Sequence, residues 1–177
     1  MVLKHSQKVA FTEKCPVISL YNPIDERYVA LHHLHKPQGL LLFTWCNHCP
    51  YVMRIEEKIN ELAKIYQNQI GFVGINLNDP VHYPQDGPDA MKKRAQEKDY
   101  VFHYLFDEYA ILMDYLPVVC TPEFMLFDRF NCWYHGACDE TVGEIKPTGS
   151  HIMNSIKCMI NQEAYEGQVA MGCSIKR

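Results

Sequence analysis

The chain has 177 residues and a formal net charge of −4, with acidic and basic residues interspersed along its length. This length fits one domain, which we expect to span residues 1–177 and to bury roughly 70% of the surface of its unfolded chain. The modest charge excludes the basic footprint of a nucleic-acid-binding protein and the polybasic patch that binds an anionic membrane.

The apolar runs are all shorter than the roughly 20 residues of a membrane-spanning helix, and residues 1–8 lack the apolar segment of a secretory signal. We therefore expect a cytoplasmic location. The chain contains eight cysteines. In a cytosolic chain that has its own core, most cysteines should be reduced and only special ones should be reactive.

Two β-rich pieces, at residues 17–21 and 28–31, flank a turn and predict an N-terminal β-hairpin. A histidine cluster at residues 32–35 follows them. A zinc or copper site needs three or four converging ligands, and the adjacent sequence does not supply the rest. We interpret the cluster as a polar link before the next strand.

The central feature is an apolar run at residues 40–45 that ends at Cys46 and Cys49, two cysteines separated by two residues. The uncharged run predicts an interior strand of a mainly parallel sheet. Apolar residues at helical spacing then continue to Tyr66. Because a proline deep inside a helix removes a hydrogen bond and clashes, we expect this helix to begin near Cys46, with Pro50 in its first turn.

This placement predicts a reactive dithiol. Unpaired backbone N–H groups and the positive end of the helix dipole favour a thiolate at a helix N-terminus, and a cysteine with a lowered pKa is the nucleophile of disulfide exchange. His48 can add a cation or a hydrogen-bond donor between the two sulfurs. We predict that Cys46 attacks and that Cys49 resolves the mixed disulfide.

A second apolar run at residues 70–77 completes a strand–helix–strand unit with a right-handed crossover. In such a unit the ligand chemistry lies at the carboxyl ends of the parallel strands, where Cys46 is expected. Residues 78–88 are rich in turn formers and are long enough to overhang this edge of the sheet.

Further along the chain, Thr121 and Pro122 open an apolar strand that residues 131–134 complete as a hairpin. The segment 163–177 shows no clear periodicity, so we expect an extended C-terminal tail that is either mobile or packed as a strap.

These pieces, in this order, resemble the thioredoxin fold. The resemblance implies an α/β fold with three α/β/α layers, a central mixed sheet and an N-terminal β-hairpin extension. It also implies that Pro122 is cis, faces the dithiol and, with Thr121, hydrogen-bonds an incoming peptide or mixed disulfide. By the same resemblance, Trp45 and His48 join Thr121 and Pro122 as residues that tune the site.

Several motifs are also similar to redoxins of the alkyl hydroperoxide reductase/thiol-specific antioxidant superfamily, in a peroxiredoxin-like subgroup usually called thioredoxin family proteins. The similarity spans nearly the whole chain. The motifs are Cys15-Pro16 with Leu20, Cys46-Asn47-His48-Cys49-Pro50, Asn76-Leu77-Asn78-Asp79, Tyr83-Pro84, Pro88-Asp89-Ala90-Met91, Cys120-Thr121-Pro122 and Gly172-Cys173-Ser174-Ile175-Lys176.

The chain departs from true peroxiredoxins at the residues that hold a peroxide. Those enzymes place a threonine three residues before the peroxidatic cysteine, with a proline upstream. Here Thr44 stands two residues before Cys46 and five before Cys49, and residues 39–43 contain no proline. The sequence therefore favours disulfides over peroxides as substrates.

We accordingly expect a thiol–disulfide oxidoreductase that acts on protein or small-molecule disulfides and is served by an unidentified reductant. Two alternatives remain: a thiol peroxidase with an antioxidant role, and a metal-handling or redox-inert binding module on the same fold. Cys120 and Cys173 are possible auxiliary thiols. We expect no cofactor, metal, nucleic acid or membrane partner, and the oligomeric state stays open. The cysteines treated as structural or incidental are Cys15, Cys132, Cys138 and Cys158.

Overall fold

The computed structural model describes residues 3–6, 14–129, 131–139 and 146–177. None of the helices in these residues combines the length and the apolar composition needed to cross a membrane. The strands are β1 (Leu3–His5), β2 (Ser19–Asn22), β3 (Arg27–Ala30), β4 (Gly39–Thr44), β5 (Ile70–Asn76), β6 (His103–Phe106), β7 (Cys120–Thr121), β8 (Phe124–Phe127), β9 (Cys132–Gly136) and β10 (Met171–Ser174). The helices are α1 (Pro50–Tyr66), α2 (Pro88–Glu97), α3 (Leu112–Tyr115) and α4 (Ser150–Asn161).

The main sheet is mixed, with the strand order β3-β2-β6-β5-β4-β8-β9. Strand β4 lies in its interior, parallel to β5 and antiparallel to β8, and β5 is parallel to β6. The interior strand predicted before the dithiol and the strand–helix–strand unit are therefore confirmed. The N-terminal hairpin is confirmed as β2 and β3, and the later hairpin as β8 and β9.

Apolar side chains on both faces of the sheet produce the layers. Leu41 and Phe43 of β4 pack on one face with apolar residues of α1, α2 and α4. Leu40 and Leu42 pack on the other face with α3 and with the 3-10 helix Leu31–Leu34. Strand β4 is fully buried on both sides, and its side chains point alternately into two separate cores. This produces the predicted three-layer arrangement.

Helix α1 begins later than predicted. Its first residue is Pro50 and its N-cap is Cys49, and the N–H of Met53 donates to the carbonyl oxygen of Cys49 at 3.0 Å. The first helical position suits proline because a backbone N–H there would have no partner in the helix. The prediction of a helix start near Cys46 is thus wrong, and Cys46 lies in the turn that precedes the helix.

A second, three-stranded sheet joins parts of the chain that are far apart in sequence. Its order is β1-β10-β7, with Leu3 opposite Cys173 and Cys173 opposite Thr121. Within the segment 163–177, Met171–Ser174 therefore forms a packed strand. A Cβ atom added to Gly172 would lie 2.2 Å from the carbonyl oxygen of Thr121, so β10 approaches β7 closely enough to require glycine there.

Candidate active site

Two sulfur atoms of the site lie between the end of β4 and the start of α1. The side chains of Cys46 and Cys49 are hydrogen-bonded to each other. Their residues are 2% and 0% exposed. All eight cysteine thiols are free, so the pair is a dithiol here. The structure thus brings together the two cysteines that the sequence singled out.

The Thr121–Pro122 peptide bond is cis, as the resemblance implied. The carbonyl oxygen of Thr121 lies 3.2 Å from Cys49 Sγ, which places the start of this loop against the dithiol. The backbone of Thr121 is also paired with Cys173 of β10. The backbone edge to which the resemblance assigned an incoming peptide is therefore occupied by the chain itself.

A hydrogen-bonded chain fixes Trp45, the residue before the dithiol. Trp45 Nε1 donates to the hydroxyl oxygen of Tyr100 at 3.1 Å, and that hydroxyl donates to Glu56. Arg94 holds the same carboxylate with two bonds, Nε to Oε1 at 2.7 Å and an Nη to Oε2 at 2.9 Å. Because Glu56 lies on α1, this chain ties the end of β4 to the dithiol helix.

Asp86 is a site residue that sequence reasoning missed. Its carboxylate is buried and accepts from the backbone N–H of Asn47 at 2.8 Å and from Asn78 Nδ2 at 2.9 Å. Its Oδ2 also lies 2.5 Å from His48 Nδ1, and the His48 ring stacks on Tyr83. The loop at residues 78–88 reaches the active edge as predicted, but its sequence holds no pattern that marks Asp86 among the turn formers.

The two thiols share a proton unequally. The pKa of Cys49 falls from its ordinary value of 9.0 to about 5, chiefly because Cys46 hydrogen-bonds to it, with further contributions from Cys173 and from the first backbone N–H groups of α1. The pKa of Cys46 is raised by that same hydrogen bond, by burial and by the charge of Asp86. The Thr121 carbonyl opposes ionisation, because only a protonated Cys49 can donate to it.

This distribution differs from the sequence-based expectation of a lowered pKa at Cys46. The difference follows chiefly from the hydrogen bond between the two thiols, and the position of Pro50 adds to it. Since α1 begins there, the helix N-terminus favours a thiolate at Cys49, while Cys46 lies beside the carboxylate of Asp86.

The thiol of Cys120 has its closest polar contact with Glu123. Its Sγ lies 3.6 Å from a carboxylate oxygen of Glu123, and burial is the main cause that raises its pKa. The other carboxylate oxygen of Glu123 lies 2.5 Å from His135 Nε2. The Thr44 hydroxyl donates to the carbonyl oxygen of Cys120 at 2.6 Å. Thr44 is thus engaged with the backbone, and its hydroxyl proton is not available to hold a peroxide at Cys46.

Among the described residues, one group of three side chains has the composition of a metal site: Cys46, His48 and Asp86, whose candidate ligand atoms all lie within 4.8 Å of one another. Tetrahedral ligands bound about 2.0–2.3 Å from a zinc ion are more than 3 Å apart. The direct contact of 2.5 Å between His48 and Asp86 is a hydrogen bond instead. The group would have to open to admit an ion.

A groove of about 510 Å³ lies beside the cis-proline and the first turn of α1. Its lining includes Tyr51, Arg54, Pro122, Cys138, Gly167 and Met171. Residues of α1, the cis-proline loop and the C-terminal segment form its walls, whereas Cys46, Cys49 and Cys173 are not part of its lining.

The chain matches no protein-family model and no curated protein sequence. Among solved structures it is 32% identical to an uncharacterized conserved protein from Geobacillus kaustophilus, over 100% of this chain and 97% of that one, with a TM-score of 0.95. This chain belongs to the same family.

The fold of this family also appears in more distant structures. A hypothetical protein from Sinorhizobium meliloti 1021 is 23% identical over 97% of both chains, with a TM-score of 0.91. A thiol:disulfide interchange protein of the thioredoxin family from Chlorobium tepidum TLS is 14% identical over 86% of this chain and 99% of its own, with a TM-score of 0.64. The predicted thioredoxin-like fold is confirmed, whereas membership of the alkyl hydroperoxide reductase superfamily stays a prediction.

Proposed function

We propose that this protein is a thiol–disulfide oxidoreductase whose redox centre is the pair Cys46 and Cys49. The observation that carries the proposal is the arrangement of two free, hydrogen-bonded thiols at the start of α1, facing the carbonyl group before the cis Pro122. A structure with the same fold is a thiol:disulfide interchange protein, which supports the same class of reaction.

The contacts of the two sulfurs support a division of roles between them. Cys49 Sγ is enclosed by Cys46, Cys173 and the Thr121 carbonyl. Cys46 lies outside α1, in the turn before it, and its neighbour Asn47 is partly exposed, which supports Cys46 as the sulfur that meets the substrate. Cys46 therefore attacks, and its proton passes along their hydrogen bond to the Cys49 thiolate.

The reaction then follows disulfide exchange. The Cys46 thiolate attacks one substrate sulfur, forms a mixed disulfide and releases the other substrate sulfur as a thiolate. Cys49 loses its proton to that thiolate, attacks Cys46 Sγ and releases the second substrate sulfur. The substrate disulfide is reduced by two electrons, and the protein retains a Cys46–Cys49 disulfide that an external dithiol must reduce.

Stopped-flow reduction of insulin disulfides tests this function. We expect the reduced wild type to react, Cys46→Ser to lose the reaction, and Cys49→Ser to accumulate a mixed disulfide on Cys46 because resolution is removed. Cys158→Ser is the matched control, since Cys158 lies on α4 away from the dithiol. Equal rates for the wild type and Cys46→Ser would refute the proposal.

A metal-binding function is the second candidate, because Cys46, His48 and Asp86 converge. Metal analysis of protein purified without a histidine tag separates the two functions. We expect substoichiometric metal and two titratable thiols at residues 46 and 49. One equivalent of metal that protects Cys46 from alkylation would favour the metal-binding function instead.

A further inference from the structure

A third thiol lies against the dithiol. Cys173 Sγ on β10 is 3.0 Å from Cys49 Sγ, and Cys173 is buried. Cys49 therefore contacts two other thiols, Cys46 and Cys173, which belong to different elements of the fold. The mechanism described above uses only one of them.

The position of Cys173 is fixed on both sides along the chain. Before it, the N–H of Ala170 donates to Ser6 Oγ at 2.8 Å, and the N–H of Ser6 donates to the carbonyl oxygen of Ala170 at 2.9 Å. After it, the N–H of Lys176 donates to Asn78 Oδ1 at 2.8 Å. Together with the pairing of β10 to β1 and β7, these bonds hold the sulfur of Cys173 at the site.

We propose that Cys173 is a third redox thiol of the active site, which takes over the disulfide from Cys46 by forming a bond to Cys49. This inference rests on the proposed function, which supplies the Cys46–Cys49 disulfide. The Cys173 thiolate attacks Cys49 Sγ, a Cys49–Cys173 bond forms, the Cys46–Cys49 bond breaks, and Cys46 leaves as a thiolate. The exchange is an isomerisation that needs no added oxidant or reductant, and the Cys173 proton ends on Cys46.

The geometry suits this exchange. A disulfide bond is about 2.05 Å long, so Cys173 Sγ has to move by about 1 Å from its contact with Cys49. Exchange requires the entering and leaving sulfurs to meet one central sulfur, and Cys49 is the sulfur that contacts both others. After the exchange the disulfide joins Cys49 at the start of α1 to Cys173 on β10, and Cys46 is a free thiol.

The charge of the site controls when Cys173 can react. In the reduced protein, burial and the neighbouring Cys49 raise the pKa of Cys173 to about 12. Oxidation of Cys49 removes its negative charge and its hydrogen bond, so two of the causes of this shift disappear. Cys173 thus becomes more acidic in the state that it is proposed to attack.

Disulfide mapping of Cys46→Ser tests the contact directly. The reduced variant is treated with one equivalent of diamide and digested without reduction by trypsin and a glutamate-specific protease. Cleavage after Glu163 and Glu166 separates Cys173 from Cys158 before mass spectrometry. We expect a Cys49–Cys173 linkage in most molecules, retained in Cys46→Ser/Cys158→Ser and lost in Cys46→Ser/Cys173→Ser.

Alkylation of the oxidised wild type tests the transfer. After mild oxidation we expect iodoacetamide to label Cys46 in the wild type, and this label to be lost in both Cys173→Ser and Cys173→Ala. Two substitutions are used because a buried serine hydroxyl can destabilise the fold, and circular dichroism verifies folding.

The outcomes separate the two proposals. A wild type that forms the Cys46–Cys49 disulfide and reduces insulin, but never yields a Cys49–Cys173 linkage, overturns the role of Cys173 alone. A wild type that forms neither linkage and leaves insulin oxidised overturns the proposed function as well.

Discussion

Asp86 places a carboxylate beneath the dithiol with 0% exposure. The peptide N–H of Asn47 and the side chain of Asn78 stabilise its charge, as His48 does when Nδ1 is protonated. Its field acts on Cys46, whose pKa it raises. His48 was predicted to favour the thiolate, and in the structure its Nδ1 meets this carboxylate, so any influence on the sulfur acts together with Asp86.

Replacing Asp86 should therefore activate Cys46. In a Cys49→Ser background, Asp86→Asn is expected to lower the pKa of Cys46, because it removes a buried negative charge beside the thiol. The pH profile of Cys46 alkylation by iodoacetamide should move to lower pH. Asp79→Asn is the control, because Asp79 belongs to the same loop but pairs with His82 in solvent. Coincident profiles for Asp86→Asn and its parent would contradict this role.

Tyr100 provides a second test at the scale of one side chain. Tyr100→Phe removes the hydroxyl that joins Trp45 to Glu56, and it leaves a buried indole N–H without its acceptor. We expect the free energy of unfolding to fall by about 1–3 kcal/mol. Urea unfolding followed by tryptophan fluorescence measures this loss. Tyr115→Phe, at a residue that is 53% exposed, should unfold like the wild type. An equal loss of unfolding free energy in Tyr115→Phe would contradict a stabilising role of the Tyr100 hydrogen bonds.

The sequence predicted the site residues that carry a local pattern. Cys46 and Cys49 follow an apolar strand, so spacing reveals them, whereas Pro122 opens another strand and was placed at the site by the resemblance to the thioredoxin fold. Asp86 carries no such signal, and it lies 39 positions from the Asn47 peptide N–H that donates to it. Cys173 was named as a possible auxiliary thiol, but its partner Cys49, 124 positions away, was not identified. Packing of the whole chain decides those contacts, and a single sequence does not show it.

At the scale of elements, the start of α1 shows how a small difference in register changes the chemistry. Proline is tolerated throughout the first turn of a helix, so the sequence fits a start at Cys46 as well as one at Pro50. The apolar runs of β4 and β5 are buried at every position and leave less freedom, and both strands were predicted correctly. The position of the helix start decides which thiol has its thiolate stabilised by the helix N-terminus, and the sequence pattern does not fix that position.

Strand β10 makes a prediction that concerns packing between elements. Gly172→Ala introduces a Cβ atom 2.2 Å from the Thr121 carbonyl oxygen, so β10 must move away from β7. We expect a loss of stability of about 1–3 kcal/mol, as for other overpacked sites, and a loss of the Cys49–Cys173 linkage in the Cys46→Ser background. Thermal unfolding and disulfide mapping measure the two effects.

Gly87→Ala is the control for that substitution, because its added Cβ would meet its nearest neighbour, the Pro84 carbonyl oxygen, at 3.3 Å and would not touch β10. The linkage should persist there. A Gly172→Ala protein that is as stable as the wild type and retains the linkage would show that β10 is not held closely against β7.

For the whole molecule, the shared proton of the dithiol makes stability depend on pH. The pKa of Cys49 is about 5 in the folded state and 9.0 in its ordinary state. Between these values the unfolded chain binds more protons, so the stability of the reduced protein rises with pH across this window. The contribution is fully present at pH 9 and is lost as the pH falls through 5. The raised pKa values of Cys46 and Cys173 act only above this window.

Urea unfolding of the reduced wild type and of Cys49→Ser, at a series of pH values in excess dithiothreitol, measures this contribution. The difference between the two free energies of unfolding should grow in favour of the wild type from pH 5 to pH 9. Parallel curves would mean that Cys49 keeps its ordinary pKa.

The pairing of β10 with β1 also has a consequence for how the protein is made. Leu3 and Cys173 lie near opposite ends of the described sequence and meet in one small sheet. Contacts this distant in sequence form late, because the chain between them must first be ordered. During synthesis, Cys46 and Cys49 therefore leave the ribosome before Cys173, and the contact between Cys49 and Cys173 forms only after β10 has paired with β1 and β7. The third thiol joins the site only after translation has passed β10.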